Sequence, residues 1–193
     1  VSVSRPVRLG SPAGIAVLAG AAGLLLSAGL WLRGMSPPQA PPPASLGRLP
    51  DFTLRDSNGR AWTQADFRGS VWVADFDPPG CASCVARALR MADLQAALAR
   101  ARGVRLVTFV TDRDLLRPGA MAELGRELNA NPRKWIFLAG SPVAPSSRFL
   151  VLDGSGRIRG SFEEGLPAVS SEILDCAGAI LREERLAAAS GLK

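Results

Sequence analysis

The chain has 193 residues, 47% of them hydrophobic and 21% charged, a composition that belongs to globular rather than disordered proteins. Its formal net charge is +6, but the arginines are scattered among acidic residues instead of clustering with aromatics, which argues against a nucleic-acid partner. Histidine is absent; this excludes imidazole-based catalysis and every His-ligated metal site.

From Leu9 to Leu32 no residue is charged. A helix of that length, at ~1.5 Å per residue, spans the roughly 30 Å hydrocarbon core of a bilayer. Residues 9–32 are therefore expected to form a transmembrane anchor. Arg5, Arg8 and the terminal amine precede it, which places residues 1–8 on the cytoplasmic side. The rival reading is a cleaved signal peptide. Six prolines between positions 37 and 50 disfavour helix and ladder hydrogen bonds, so 33–48 reads as an extended linker. The remaining domain, 49–193, is large enough to bury one core.

Within that domain, DFTL and RAWT flank Ser57-Asn58-Gly59 and predict a hairpin. VWVADF (71–76) is an apolar run of strand length. A helical pattern follows from Ala82 to Arg102, with Val85, Leu89, Ala92, Leu94, Ala96 and Leu98 assigned to its apolar face, and Gly103 ends it. VRLVTFV (104–110) reads as a buried strand, 118–129 as a helix opening on Pro118, and WIFL (135–138) as a short strand. Residues 147–163 form a second hairpin around Gly154-Ser155-Gly156. Ser170 or Ser171 is expected to cap a last helix running to Ala189. This order predicts an α/β domain: a mixed central sheet flanked by helices on both faces, with a parallel, right-handed first βαβ unit. It is the thioredoxin arrangement.

Two cysteines, Cys81 and Cys84, stand at the first strand-to-helix junction in the sequence PPGCASCV. A sulfur at a helix N-terminus faces unsatisfied N–H groups and the positive end of the dipole, which favours its thiolate. A second cysteine three residues on is close enough to close a disulfide. The catalytic candidates are therefore Cys81 as the attacking thiol and Cys84 as the resolving one. Arg87 and Arg90 lie on the next turns and add positive potential, although long arginines usually point to solvent. Two other readings stay open: the pair ligates copper, or it is structural. Cys176 sits on an apolar helix face and reads as core. Asp75 and Asp77 are the nearest carboxylates; Asp75 is either buried with a partner or on the solvent face, and neither is promoted to a ligand.

The chain resembles the SCO/SenC family, membrane-anchored thioredoxin-fold proteins of copper-site and cytochrome c oxidase assembly. The resemblance covers about 49–163. It rests on LPDFTLRDSNGRAWTQADFRGSVWVADF, RMADLQAAL, VRLVTFVTDRD, RKWIFLAG and SSRFLVLDGSGRIRGSF. It implies an inner-membrane protein with its domain on the periplasmic side, partners among the thiols or disulfides of copper-site and cytochrome proteins, and copper as a cofactor held by Cys81 and Cys84. Two departures bear on chemistry. The family's cysteines are four apart and usually followed by proline, whereas here they read CASCV. The family's ligand histidine is replaced by Pro145, in Pro145-Ser146-Ser147-Arg148-Phe149. Both departures move the site towards thiol–disulfide oxidoreductase chemistry, with a cis peptide at Pro145 as one expectation. A Cu(I) carrier on two thiolates and a redox-inert interaction domain are the alternatives; a peroxidase fits less well.

Overall fold

The structure, a computed structural model, describes residues 41–77, 84–143, 148–165 and 167–191. The expected anchor, 9–32, lies outside them. Among the described residues no helix is long and apolar enough to cross a membrane.

The strands are β1 (Gly47–Arg48), β2 (Thr53–Asp56), β3 (Ala61–Thr63), β4 (Val71–Asp77), β5 (Val104–Val110), β6 (Trp135–Ala139), β7 (Arg148–Leu152) and β8 (Arg157–Glu163). The helices are α1 (Cys84–Ala97), α2 (Ala120–Glu127) and α3 (Val169–Ala189), with a short 3-10 turn at Gln64–Phe67. The strands make one sheet in the order β1-β8-β7-β4-β5-β6-β2-β3. Strands β4, β5 and β6 are parallel neighbours, and the other pairings are antiparallel. The first hairpin forms where expected. Asp56 Oδ1 accepts from the N–H of Asn58 and Arg60 at 2.8 and 3.0 Å, and Gly59 supplies φ 80°. Gly47–Arg48, inside the segment read as linker, pairs with β8.

The helix placement differs from expectation. All three helices pack into one buried cluster, with Met91, Leu94 and Leu98 from α1, Ile173, Ala177 and Ile180 from α3, and Leu124 and Leu128 beside them at α2. The opposite face is closed by Phe52, Trp62 and Phe67 from the N-terminal hairpin and the 3-10 turn. The reason is topological. The crossovers β4–α1–β5 and β5–α2–β6 step the same way along the sheet, and two right-handed crossovers in one direction leave both helices on one face.

Two boundaries also move. Helix α1 ends at Ala97 rather than Arg102. The carbonyls of Leu98 and Ala101 accept from Lys134 Nζ, which draws the last turn off the helical path. Helix α3 starts at Val169 with Ala168 as its N-cap. The Ser171 hydroxyl donates to the Ala168 carbonyl at 2.7 Å, and Ser170 Oγ accepts from Arg90, so neither serine caps the helix.

Candidate functional site

Cys84 opens α1, the next described element after β4, which ends at Asp77. It is disulfide-bonded. Cys81, Pro145 and the peptide bond before Pro145 lie outside the described residues. Cys176 is a free cysteine, half-buried on α3. Its Sγ lies 3.8 Å from the carbonyl of Arg159, to which it donates. Burial pushes its thiol up to about 11, against the opposing charge of Arg159. This is the behaviour expected of a packing cysteine.

The apolar face of α1 is not the one read from the sequence. Val85 and Leu89 are 75% and 56% exposed. The buried positions are Arg87, Met91, Leu94 and, just past the helix end, Leu98. These recur at spacings of four, three and four, the seam a helix presents to a sheet. An arginine therefore occupies an apolar seam, and Arg87 turns inwards instead of towards solvent.

Its partner is Asp75. Period-two alternation in β4 puts Asp75 on the same face as Val71 and Val73, beneath α1. The Arg87 Nε donates to Asp75 Oδ1 at 3.0 Å, and Nη2 donates to the same oxygen. Both side chains are buried, at 1% and 5% exposure. A third charge joins them: Glu164, in the turn after β8, places Oε2 3.7 Å from Arg87 Nε and is 13% exposed. The guanidinium also lies over the Phe149 ring, 5.5 Å from its centroid. Arg90 turns the other way, with Nη1 donating to Ser170 Oγ at 3.3 Å. Burial drives the Asp75 carboxyl above its usual range; Arg87 opposes this, and the negative charge of Glu164 adds to the rise.

Asp75 and Cys84 open onto one pocket of about 220 Å³, walled by Ala88, Thr108, Trp135 and Phe137 among others. Its polar edge is fixed, since Trp135 Nε1 donates to Thr108 Oγ1 at 3.0 Å. The structure thus brings the disulfide-bonded Cys84 and the buried Asp75 to the lining of one cavity. Larger grooves elsewhere, of about 570 and 920 Å³, hold no cysteine.

No protein-family model and no curated protein sequence matches the chain. Solved structures do match. BsSco, a member of the Sco family of cytochrome c oxidase assembly proteins in which a disulfide switch was identified, superposes with a TM-score of 0.60 at 20% identity, covering 74% of this chain and 98% of that one. The fold is that of Sco/SenC proteins. ScoI of Arabidopsis thaliana, solved with copper bound, gives 0.55 at 15% identity over 72% of this chain and 99% of its own. The thioredoxin domain of a thiol-disulfide oxidoreductase from Bacteroides vulgatus gives 0.52 at 17% identity, over 72% and 97%. The Sco-like fold therefore sits beside copper-holding and disulfide-exchanging structures alike.

The donor chemistry narrows the copper reading. The chain has no histidine. Among the described residues no group of three or more cysteine, aspartate or glutamate side chains is placed to hold a metal. Two thiolates suit Cu(I), which accepts low coordination; a Cu(II) site built with an imidazole does not fit these residues.

Proposed function

We propose that this chain is a membrane-tethered Sco-like protein that exchanges disulfides through Cys81 and Cys84. Its domain lies outside the cytoplasm, and its partners are cysteines of copper-site or cytochrome proteins. The observation that carries the proposal is Cys84, disulfide-bonded at the start of α1 on the rim of a pocket that also holds Asp75. Cys176 is free, which supports Cys81 as the other half of the disulfide.

The chemistry follows from that placement. A partner thiolate attacks Cys81 Sγ, a mixed disulfide forms, and the Cys81–Cys84 bond breaks. The bonding pair goes to Cys84 Sγ, and the Asp75 carboxyl supplies the proton across the pocket. A second partner thiolate then attacks the partner's sulfur in the mixed disulfide, and Cys81 leaves as a thiolate. Two electrons have moved from the partner, now a disulfide, to the chain, now a dithiol. In the other direction the Asp75 carboxylate takes the proton from Cys84, whose thiolate attacks Cys81 and expels the partner. Burial raises the Asp75 carboxyl above its ordinary range, which favours its holding a proton to give.

Replacing the resolving thiol tests this. Cys84→Ser, expressed in the native membrane, is expected to accumulate partner adducts that reductant releases and that Cys81→Ser abolishes. Absence of adducts above the level of the double variant contradicts it. The second reading, Cu(I) delivery by the two thiolates, draws on the copper-bound Sco neighbours. It predicts tight Cu(I) binding lost in Cys81→Ser, with no adduct trapped.

A further inference from the structure

Building on the exchange reading, we infer that the pocket beside Cys84 is a specificity site: it seats an uncharged apolar side chain that flanks the reacting cysteine of the partner protein.

The walls are mostly apolar and come from separate elements. Val85 and Ala88 belong to α1, Leu124 to α2 and Phe137 to β6, with Leu115 from the segment between β5 and α2. The polar members already have partners: Asp75 accepts from Arg87, and Thr108 accepts from Trp135. A charged side chain entering here would shed its water against hydrocarbon, which is costly, whereas an aliphatic or aromatic one gains by leaving water. At about 220 Å³ the pocket is smaller than the roughly 300–1,000 Å³ of small-molecule sites. Its size suits one side chain rather than a free ligand.

The pocket is continuous with the exchange site. Val85, on its lining, is 75% exposed, so the mouth lies at the surface. Leu89, 56% exposed, stands four residues on, one helical turn along the same stripe. A water-facing helical stripe ordinarily carries polar residues; the turns next to Cys84 instead present two bulky aliphatic ones. In the exchange, the sulfur under attack is bonded to Cys84, and Cys84 lines the pocket. A partner joined there in a mixed disulfide brings the residues beside its own cysteine to the mouth, and one of their side chains enters.

The test uses two peptide thiols, Gly-Leu-Cys-Leu-Gly and Gly-Ser-Cys-Ser-Gly, as reductants of the full oxidised chain, held in nanodiscs so that no detergent tail competes for the pocket. Loss of the disulfide is read by alkylation and mass, and each rate is divided by that for dithiothreitol, which has no side chain to seat. The leucine peptide is expected to react about tenfold faster or more. Ala88→Leu fills the pocket and should bring the two rates together. Val85→Ser, at an exposed position, is the second variant should the larger residue disturb folding, and it should narrow the gap. Equal rates for the two peptides on the unaltered chain overturn the inference. So does a leucine preference that both variants leave intact, because it arises elsewhere. The exchange reading fails differently, as an absence of trapped adducts in Cys84→Ser, a result read without these peptides.

Discussion

Arg87 and Asp75 form a buried ion pair in which Nε and Nη2 of one guanidinium both donate to a single carboxylate oxygen. This ties the first turn of α1 to the C-terminal half of β4. The disulfide at Cys84 therefore sits on a junction held by charge as well as by packing.

Removing the cation should be costly. Arg87→Met leaves two carboxyl groups facing each other in a dry site. The expected loss is about 3–5 kcal/mol at neutral pH, read from the urea midpoint of the oxidised chain. The loss should shrink in acid, where the carboxyls take up protons. Arg87→Lys keeps the charge but not the fork, and should fall between the variant and wild type.

Asp75 fixes the sign of one pH effect. Burial raises its carboxyl above the ordinary value of 3.8. Between that value and the raised one, the folded chain holds a proton that the unfolded chain has released. Stability from this group is thus full below the unfolded value and is lost as pH rises through the folded one. Asp75→Asn removes the effect. The stability of the asparagine variant minus that of wild type should climb from about pH 4 upwards and then level off. Thermal melts at a series of pH values measure the climb, whatever its offset. Asp153 has the opposite sign. Hydrogen bonds from Ser155, Arg157 and Arg159 hold its carboxyl below 3.8 in spite of burial, so its contribution is lost as pH falls.

The turn between β7 and β8 depends on a missing side chain. A Cβ on Gly154 would lie 2.6 Å from the backbone nitrogen of Gly69 and 3.2 Å from that of Ser70. Backbone cannot rotate aside as a side chain does. Gly154→Ala should cost about 1–3 kcal/mol and lower the melting temperature, with Gly165→Ala as a control for strain without a clash, since it is open within 4 Å but has φ 93°.

Cys176 should be chemically quiet. With its thiol near 11, only about one molecule in a thousand is a thiolate at pH 8. Labelling by iodoacetamide in the folded, oxidised chain should be slow and should accelerate on unfolding. Cys176→Ser should leave disulfide exchange unchanged.

Strand positions were legible because near-continuous apolar runs of strand length, such as VRLVTFV, mark strands buried on both faces. The place of Cys84 was legible because an apolar run of strand length, seen as β4, gives way to a helical pattern, seen as α1. The ion pair was not. Reading α1 by its largest apolar residues selected Val85 and Leu89, which are exposed. The signal that finds the true face is the seam 87, 91, 94, 98, and it requires accepting a charge inside a hydrophobic stripe. Asp75 gave the matching signal on β4, a carboxylate in phase with Val71 and Val73. Each alone has an ordinary explanation. Only the crossover that lays α1 over β4 puts the two charges together. Glu164 was out of reach for a similar reason, since 77 positions separate it from Arg87 and sheet pairing alone brings it near.

The most direct test of the account is the redox state of the full chain in detergent across a series of glutathione buffers, read by alkylation and mass. The account predicts one two-electron transition in which Cys81 and Cys84 lose their label together, absent from Cys81→Ser and from Cys84→Ser, while Cys176 does not take part. Labelling of Cys81 and Cys84 that stays constant across the series, or that changes for each independently, would contradict it.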